Sequence, residues 1–204
     1  TYCIIPSLRG KFRSVPEERL LKQAEYMASQ GVKELILVAQ ETTVYGTDLY
    51  GKKTLHLLLK KLCQIKGIRW IRVLYCYPEE IYDELIQVMK EEPKICHYLD
   101  LPIQHASDKI LRRMGRRTSK QQLIDIITKL RREIPDIVLR TSLITGFPGE
   151  TEEDHQELME FVDEIEFDRL GVFTYSPEEG TPAETMEGQV PEEVKEARRD
   201  EIME

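Results

Sequence analysis

The sequence has no long hydrophobic run, few cysteines and no excess of positive charge, and each absence excludes a class of protein. No apolar stretch approaches the roughly 18 residues of a membrane helix, and no secretory signal opens the chain. The four cysteines (Cys3, Cys63, Cys76 and Cys96) contain no C-x-x-C pair, unlike a small disulfide framework. A net charge of −8 argues against a broad phosphate-binding surface. We therefore predict a soluble, cytoplasmic protein with reduced thiols and no membrane partner.

Short apolar runs alternate with helical patterns along the 204 residues. The predicted strands are 34–39, 70–75, 97–101, 137–145 and 169–175. The predicted helices are 16–30, 55–65, 79–90 and 152–165, with more than one helix within 108–133 and a further short helix after Pro191. Because buried strands that alternate with helices form βα units, we predict an α/β fold with a parallel sheet. A doubly wound sheet is the alternative, although no Gly-rich dinucleotide loop follows the first strand.

Local signals predict where two helices begin and end. Ser14 is the predicted N-cap of the first helix, and Gly31 is placed to end it as a C′ glycine. Before the helix at 152–165, the pair 148–149 (Pro-Gly) suits a tight turn. Thr151 and Asp154 then have the spacing of a capping box, so a structural account suffices for this stretch.

Polar residues gather where the predicted strands end, which is where the working residues of parallel barrels lie. His105 follows Gln104 at such an end, the one place where an imidazole could contact a substrate. The alternative is that His105 is a hydrogen-bonded structural residue.

The alternation of side chains along one predicted strand indicates that Arg140 points toward the interior of a barrel. Along the strand 137–143, Arg140 and Ser142 lie on the face opposite to the apolar positions. A buried guanidinium needs an anion. Two interpretations stay open, namely an internal salt bridge to Asp100 or Glu41 and a fork for the carboxylate of a ligand.

Residues 1–14 place Cys3 after an aromatic residue and before a Pro and a basic Arg-Gly-Lys turn. This order resembles the end of the radical-SAM cluster loop, C-x-x-x-C-x-x-C, whose three thiolates hold three irons of a [4Fe–4S] cluster. Cys3 would be the third ligand, Thr1 and Tyr2 the spacers, and the other two cysteines would precede Thr1. A lone cysteine is otherwise a small apolar residue.

Further stretches, taken together, resemble the methylthiotransferases, a radical-SAM family that inserts a sulfur atom and methylates it. They cover essentially the whole chain and include 101–105 (LPIQH), 139–141 (LRT), 146–151 (GFPGET) and 167–173 (FDRLGVF).

Three departures from the tRNA-modifying branch of this family distinguish its subfamilies. That branch typically has Glu where this chain has Phe12, and Gln-Ser-Gly where this chain has Gln-His-Ala at 104–106. It also has Arg in a Tyr-Ser-x-Arg-x-Gly-Thr stretch, which corresponds to 175–181 here and has Glu178 in place of the Arg. All three differences resemble the branch that modifies an aspartate of small-subunit ribosomal protein twelve, the RimO family.

The resemblance implies an open, partial TIM-type (β/α)6 barrel, whose first strand and start of the cluster loop would precede Thr1. It implies two cofactors, a [4Fe–4S] cluster and S-adenosylmethionine, whose cleavage gives a radical that abstracts hydrogen from the β-carbon of the target aspartate. A second [4Fe–4S] cluster in an N-terminal domain supplies the sulfur, and a C-terminal TRAM domain helps to hold the substrate. Neither domain is in this sequence.

The resemblance also implies the roles of individual residues. Cys3 is the one metal ligand that maps onto the chain, so we expect the chain alone to hold no stable four-iron cluster. Tyr2 and Phe173 lie near the adenine, and Gln40-Glu41 occupy the place of the motif that faces the methionine amino group. The full set assigned to S-adenosylmethionine is Tyr2, Gln40, Glu41, Gln104, Arg140 and Phe173. No catalytic residue can be named.

We divide the chain into a barrel domain, 1–176, and a Glu- and Pro-rich extension, 177–204, that leads toward the TRAM domain. The expected substrate is a small-subunit ribosomal protein, whose basic character suits the acidic chain. A tRNA methylthiotransferase is the alternative within the family. A non-catalytic barrel that serves as an interaction scaffold is the alternative from another class, and a C-x-x-x-C before Thr1 would distinguish the enzyme.

Overall fold

A computed structural model describes residues 2–204, and Thr1, a predicted spacer of the cluster loop, lies outside the described residues. The described chain contains five strands in a single sheet whose order follows the sequence. They are β1 (Glu34–Leu37), β2 (Trp70–Val73), β3 (Ile95–Asp100), β4 (Val138–Thr145) and β5 (Arg169–Thr174). The β1–β2, β2–β3 and β4–β5 pairs are parallel. The predicted α/β fold is confirmed, and the strand order has no reversal, which excludes the doubly wound alternative.

Helices separate the strands as predicted. Within residues 2–204 they are α1 (Ile5–Arg9), α2 (Glu17–Ser29), α3 (Thr47–Tyr50), α4 (Leu55–Cys63), α5 (Asp83–Glu91), α6 (Asp108–Met114), α7 (Lys120–Glu133), α8 (Glu152–Ile165) and α9 (Glu192–Met203). The short helices α1 and α3 have no counterpart in the sequence prediction, because each spans little more than one turn. None of the helices described for these residues has the length and apolar character needed to span a membrane.

The C-terminus of α2 is formed as predicted. Gly31 has a φ of +91°, which a glycine adopts without steric cost. Its N–H donates to the Ala28 carbonyl at 3.0 Å, and the Val32 N–H donates to the Met27 carbonyl at 3.1 Å. These two bonds form a Schellman motif that satisfies the last carbonyls of the helix.

The N-cap prediction for α2 is wrong. Pro16, not Ser14, is the N-cap residue, and it provides no side-chain cap. The hydroxyl of Ser14 instead accepts from the Gly46 N–H at 3.0 Å, and the Ser14 N–H donates to Asp48 at 2.7 Å. Partners that are distant in sequence therefore engage both polar groups of Ser14.

The described chain divides into two compact units. Unit 1 comprises 2–11, 102–125 and 140–204, and unit 2 comprises 12–101 and 126–139. In unit 2, α4 and α5 pack against each other, and α5 also packs on β3. The core of unit 2 includes the fully buried side chains Leu55, Leu59, Ile71, Leu85, Met89 and Leu99.

The core of unit 1 includes a cluster built around aromatic side chains. Its buried members are Ile110, Met114, Phe147, Tyr175 and Ala183. Partly buried hydrophobic side chains pack against it, namely Tyr2, Ile144 and Met186.

Along β4 the buried positions alternate with half-buried ones, so Leu139 and Leu143 are buried while Arg140 and Ser142 lie on the other face. The predicted alternation of this strand is confirmed.

The segment 177–204, which the sequence assigns to an extension, packs within unit 1. The helix α9 contacts β5 and α8. It buries Lys195, Arg198 and Ile202, which follow helical spacing along one face. That a TRAM domain follows this segment stays a prediction.

The entry into α8 has the predicted turn and capping box. The Glu150 N–H donates to the Phe147 carbonyl at 2.9 Å, and Gly149 has a φ of +85°, as position i+2 of a type II turn requires. The Asp154 N–H donates to Thr151 Oγ1 at 3.4 Å, and the Thr151 N–H donates to Asp154 Oδ2 at 2.9 Å. Both reciprocal bonds of a capping box are therefore present.

Replacing Thr151 with Ala removes the hydroxyl that accepts the Asp154 N–H. We expect the Thr151→Ala variant to lose about 1 kcal/mol of unfolding free energy, the usual effect of losing an N-cap side chain. Urea denaturation followed by circular dichroism measures the difference. Thr185→Ala, at an exposed position, is the control and should change little. Equal losses in the two variants would contradict a capping role for Thr151.

Candidate functional site

Arg140 and Phe173 lie on the same face of the β4–β5 pair, close to Gly171. In the parallel register Ser142 pairs with Gly171, and Ile144 pairs with Phe173. A Cβ atom at Gly171 would lie 3.7 Å from Phe173 Cε2 and 3.8 Å from Arg140 Nη2. Phe173 is 58% exposed. Both distances are ordinary van der Waals contacts, so the Arg140 guanidinium and the accessible Phe173 ring both lie next to residue 171 on this face of the sheet.

Two non-glycine residues at strand ends have left-handed backbone conformations. In unit 1, Gln104 has a φ of +72°, its N–H donates to the Ser142 carbonyl at 2.9 Å, and its carbonyl accepts from the Ile144 N–H at 2.8 Å. In unit 2, Tyr75 has a φ of +57°, and its N–H lies 3.3 Å from Asp100 Oδ2. Such conformations cost on the order of 1–3 kcal/mol and cluster at functional sites. The backbone strain is thus consistent with a site role for Gln104.

The N-terminal loop of unit 1 combines an accessible thiol with an anchored aromatic ring. Cys3 is a free, exposed cysteine. The Tyr2 ring packs edge-on against Phe147, with the ring centroids 6.2 Å apart. Phe147 packs in the same way on Tyr175 at 5.2 Å. The side chain next to Cys3 is therefore fixed to the core of unit 1, while the thiol itself remains accessible.

The other three cysteines lack the properties of cluster ligands. Cys63 and Cys76 are buried, and burial raises the pKa of Cys63 to about 11 and that of Cys76 well above its usual value. Burial also raises the pKa of Cys96. A thiol that resists ionisation is a poor metal ligand.

Within residues 2–204, no group of three or more His, Cys, Asp or Glu side chains could hold a metal ion. Cys3 fits one position of a cluster that needs three thiolates, and it is accessible as a ligand must be. The donors described for this chain therefore fit a cluster in part only.

Gln40 and Glu41 follow β1 in unit 2. Gln40 is exposed and Glu41 is half-buried. The Glu41 carboxylate accepts from the Thr43 N–H and from the Tyr77 N–H, each at 2.8 Å. Burial raises the pKa of Glu41 to about 7, and the two backbone hydrogen bonds oppose that rise. The carboxyl group is thus fixed in place and titrates near neutral pH, so a bound cation would favour its ionised form.

Of the two interpretations of His105, the structure favours the hydrogen-bonded structural residue over a substrate contact. Its side chain is fully buried. His105 Nδ1 accepts from the Ser107 N–H at 2.9 Å, and Nε2 faces Glu150 Oε2 at 3.4 Å. A neutral imidazole that accepts at Nδ1 carries its proton on Nε2, which is directed at the carboxylate. His105 is therefore a structural histidine.

Glu150 is a buried carboxylate in the stretch for which the sequence predicted only a tight turn and a capping box. Its Oε2 accepts from the Gly146 N–H at 2.9 Å and the Phe147 N–H at 3.3 Å. Its Oε1 accepts from Arg198 at 2.9 Å. Burial alone would raise the pKa of Glu150, but His105, the Gly146 N–H and Arg198 outweigh it and lower the pKa. The helical spacing of Lys195, Arg198 and Ile202 could have indicated that a cation of the extension 177–204, called the tail below, faces inward.

Of the predicted site residues, five lie in unit 1, namely Tyr2, Cys3, Gln104, Arg140 and Phe173. Gln40 and Glu41 lie in unit 2. The structure brings Arg140 and Phe173 together over Gly171, and it places Tyr2 against Phe147.

The raised pKa of Glu41 makes the stability of the fold depend on pH. The folded state keeps a proton that the unfolded chain loses between the ordinary pKa of 4.5 and about 7. Stability conferred by that proton is therefore lost as the pH rises through this window.

We expect Glu41→Gln to flatten the decline in unfolding free energy between pH 5 and pH 8. The exposed control Glu25→Gln should keep the decline of the unaltered protein in urea titrations, and a Glu41→Gln variant that also keeps it would contradict the assignment.

Comparisons with known proteins show which family and which fold the chain resembles. Residues 1–162 match the family model described as the Radical SAM superfamily. The chain is 69% identical over 204 residues to a "Ribosomal protein uS12 methylthiotransferase RimO" from Lachnoclostridium phytofermentans. It is 61% identical over 203 residues to a protein of the same name from Clostridium perfringens. The comparison covers 100% of this chain and 46% of each relative, so the chain spans about half their length.

Solved structures share the fold at low sequence identity. The crystal structure of Streptococcus suis SuiB bound to S-adenosylmethionine matches with a TM-score of 0.64 at 16% identity, over 95% of this chain and 41% of that chain. Methylornithine synthase, PylB, matches with a TM-score of 0.59 at 14% identity, over 96% of this chain and 55% of that chain. The resemblance of the sequence to the radical-SAM fold is confirmed.

Proposed function

Because the chain belongs to the radical SAM superfamily, we propose that it is the central domain of a methylthiotransferase that modifies an aspartate of small-subunit ribosomal protein twelve. The observation that carries the proposal is the 69% identity, along the whole chain, to a protein named for this activity. Since the chain spans 46% of that relative, sulfur delivery and part of the substrate binding are assigned to the remaining length of the complete protein.

Cys3 provides one ligand of the [4Fe–4S] cluster, and the exposure of its thiol supports this role. When bound, the cluster and S-adenosylmethionine supply one-electron cleavage of a C–S bond and hydrogen abstraction from the substrate. A second [4Fe–4S] cluster, in an N-terminal domain, is proposed as the source of the sulfur. The residues of this chain bind and orient the cofactor.

Arg140 and Phe173 suit two different parts of S-adenosylmethionine. The planar guanidinium of Arg140 can bind the methionine carboxylate through two parallel hydrogen bonds. The exposed ring of Phe173 offers a face for the adenine. Tyr2 provides a further aromatic ring next to Cys3, and Gln104 is held at the strand end beside Ser142. The proximity of Arg140 and Phe173 to Gly171 supports the assignment.

In unit 2, Gln40 and Glu41 are assigned to the methionine amino group. An ammonium group would interact favourably with the Glu41 carboxylate, whose orientation is fixed by the Thr43 and Tyr77 N–H groups. Such a contact would lower the pKa of Glu41 from about 7 and keep the group ionised.

The ribosomal-protein substrate places the proposed reaction in the cytoplasm. The chain has free cysteines, two of them buried, which suits a reducing compartment. Its net charge of −8 suits a basic protein substrate.

Arg140→Ala tests the cofactor assignment. Loss of a charge-assisted bidentate contact should cost about 1.5–3 kcal/mol of binding free energy, a roughly ten- to hundredfold weaker affinity for S-adenosylmethionine. Arg140→Lys should recover only part, because an ammonium cannot form the planar fork. Calorimetric titration of the reconstituted complete protein measures the affinity, with Arg199→Ala as a control that removes a cation paired to Asp200. Unchanged affinity together with a lower melting temperature would leave Arg140 a structural residue.

The substrate assignment is tested with the complete, reconstituted protein, a peptide of small-subunit ribosomal protein twelve and tRNA in one reaction. We expect mass spectrometry to show the added sulfur and methyl group on the aspartate of the peptide, and none on the tRNA digest. Product on the tRNA only would favour the tRNA-modifying branch. Absence of product on both, with an intact S-adenosylmethionine-responsive cluster, would contradict both assignments.

A further inference from the structure

The N-terminal loop is seated on side chains that come from distant parts of unit 1. Tyr2 packs against the cluster that contains Phe147, Tyr175 and Ala183. A Cβ atom at Gly180 would lie 3.6 Å from Ile4 Cδ1, so the backbone at residue 180 also lies close to the loop. Residues before and after Cys3 thus contact the turn after β4, the end of β5 and the segment that follows it.

Phe147 is the central aromatic ring of the cluster on which the N-terminal loop packs. It packs edge-on with both Tyr2 and Tyr175, with centroid distances of 6.2 Å and 5.2 Å. Its side chain is fully buried. Its N–H donates to Glu150 Oε2 at 3.3 Å, and its carbonyl accepts from the Glu150 N–H at 2.9 Å. Both polar groups of the Phe147 backbone are therefore fixed by Glu150, which restricts the position of the ring.

Glu150 is in turn held by the tail. Arg198 of α9 donates to Glu150 Oε1 at 2.9 Å and lies 3.4 Å from the Glu150 carbonyl. A Cβ atom at Gly146 would lie 2.2 Å from Lys195 Cγ, so only a glycine lets α9 approach this turn so closely. The Lys195 ammonium donates to the Tyr175 carbonyl at 2.8 Å. The helix α9 thus fixes the Glu150 side chain directly and the backbone beside the Tyr175 ring.

A second contact joins the tail to the same turn. The Gly149 N–H donates to the Gly188 carbonyl at 2.7 Å. Arg113 donates to the Pro148 carbonyl at 2.8 Å and to the Glu187 carbonyl at 3.0 Å, and so bridges the two segments. The turn that carries Phe147 is therefore held by the tail at both of its ends.

From these contacts we infer that Phe147 is a positioning residue for Tyr2 and Cys3, and that Glu150 and Arg198 hold Phe147 in the required place. The inference rests on the proposed function of Cys3 and Tyr2 in cofactor binding. It extends that function to residues 180–198, which belong to the predicted extension 177–204. Because the cluster ligand precedes a helix of only five residues, α1, the loop needs an external seat to keep the thiolate in a fixed orientation.

The test compares two buried phenylalanines of unit 1. Phe147→Leu removes the edge-on contact with Tyr2, and Phe161→Leu makes the same change at a fully buried site on α8, where the ring lies 6.3 Å from Phe167. Both variants should lower the melting temperature of the complete protein. Only Phe147→Leu should accelerate hydrogen exchange of residues 2–11 in the cluster-free protein, by roughly two- to tenfold, as expected for loss of one aromatic pair.

A second measurement uses the reconstituted protein. We expect Phe147→Leu to weaken the affinity for S-adenosylmethionine several-fold and to alter the change that S-adenosylmethionine makes in the EPR signal of the reduced cluster. Phe161→Leu should leave both unchanged. Behaviour of Phe147→Leu that matches Phe161→Leu in hydrogen exchange or in affinity would overturn the inference. Failure of the proposed function would look different, since the unaltered protein would then show no S-adenosylmethionine-responsive cluster.

Variants of Arg198 test the role of the tail. Arg198→Gln removes the cation that pairs with Glu150 and should accelerate exchange of residues 2–11 in the same direction as Phe147→Leu. Arg198→Lys keeps the charge and should restore part of the protection. If Arg198→Gln lowers only the melting temperature and leaves exchange of 2–11 unchanged, the tail does not act through Phe147.

Discussion

The buried carboxylate of Glu150 is the constraint on which much of unit 1 depends. A carboxylate that has lost its water must be compensated by hydrogen bonds and opposite charge, or the fold would favour its neutral form. Here the compensation comes from the turn after β4, from His105 and from Arg198 of α9. One side chain therefore joins segments that are far apart in sequence, and its lowered pKa shows that the ionised form is preferred despite burial.

Features governed by local sequence could be predicted, and features governed by distant partners could not. The strands, the C-terminus of α2 at Gly31 and the capping box at Thr151 follow from periodicity and from short-range hydrogen bonds. The pair Glu150–Arg198 joins residues 48 positions apart, so no local pattern contains it. Ser14 shows the same limit, because its hydroxyl bonds to Gly46 and not to the helix that follows it.

For the candidate site, the sequence and the family resemblance propose residues but do not give the distances between them. Alternation along β4 places Arg140 away from the buried face, and the family resemblance supplies its role. The approach of Arg140 and Phe173 over Gly171 depends on the β4–β5 register, which a single sequence does not contain. The sequence left two interpretations of His105 open because a position at a strand end does not reveal burial. The nearby Glu150 carboxylate, which makes a buried imidazole favourable, belongs to another segment.

The packing of the tail has a consequence for how this chain can be cut or joined to other proteins. A truncation placed after residue 176, where the composition changes, would remove Ala183 and Arg198 together. Phe147 and Tyr175 would lose their apolar cover on that side, and Glu150 would lose its cation. Exposed aromatic surface beside a carboxylate that has lost its cation favours aggregation of the shortened protein. For recombinant expression, the useful end of this domain therefore lies beyond α9.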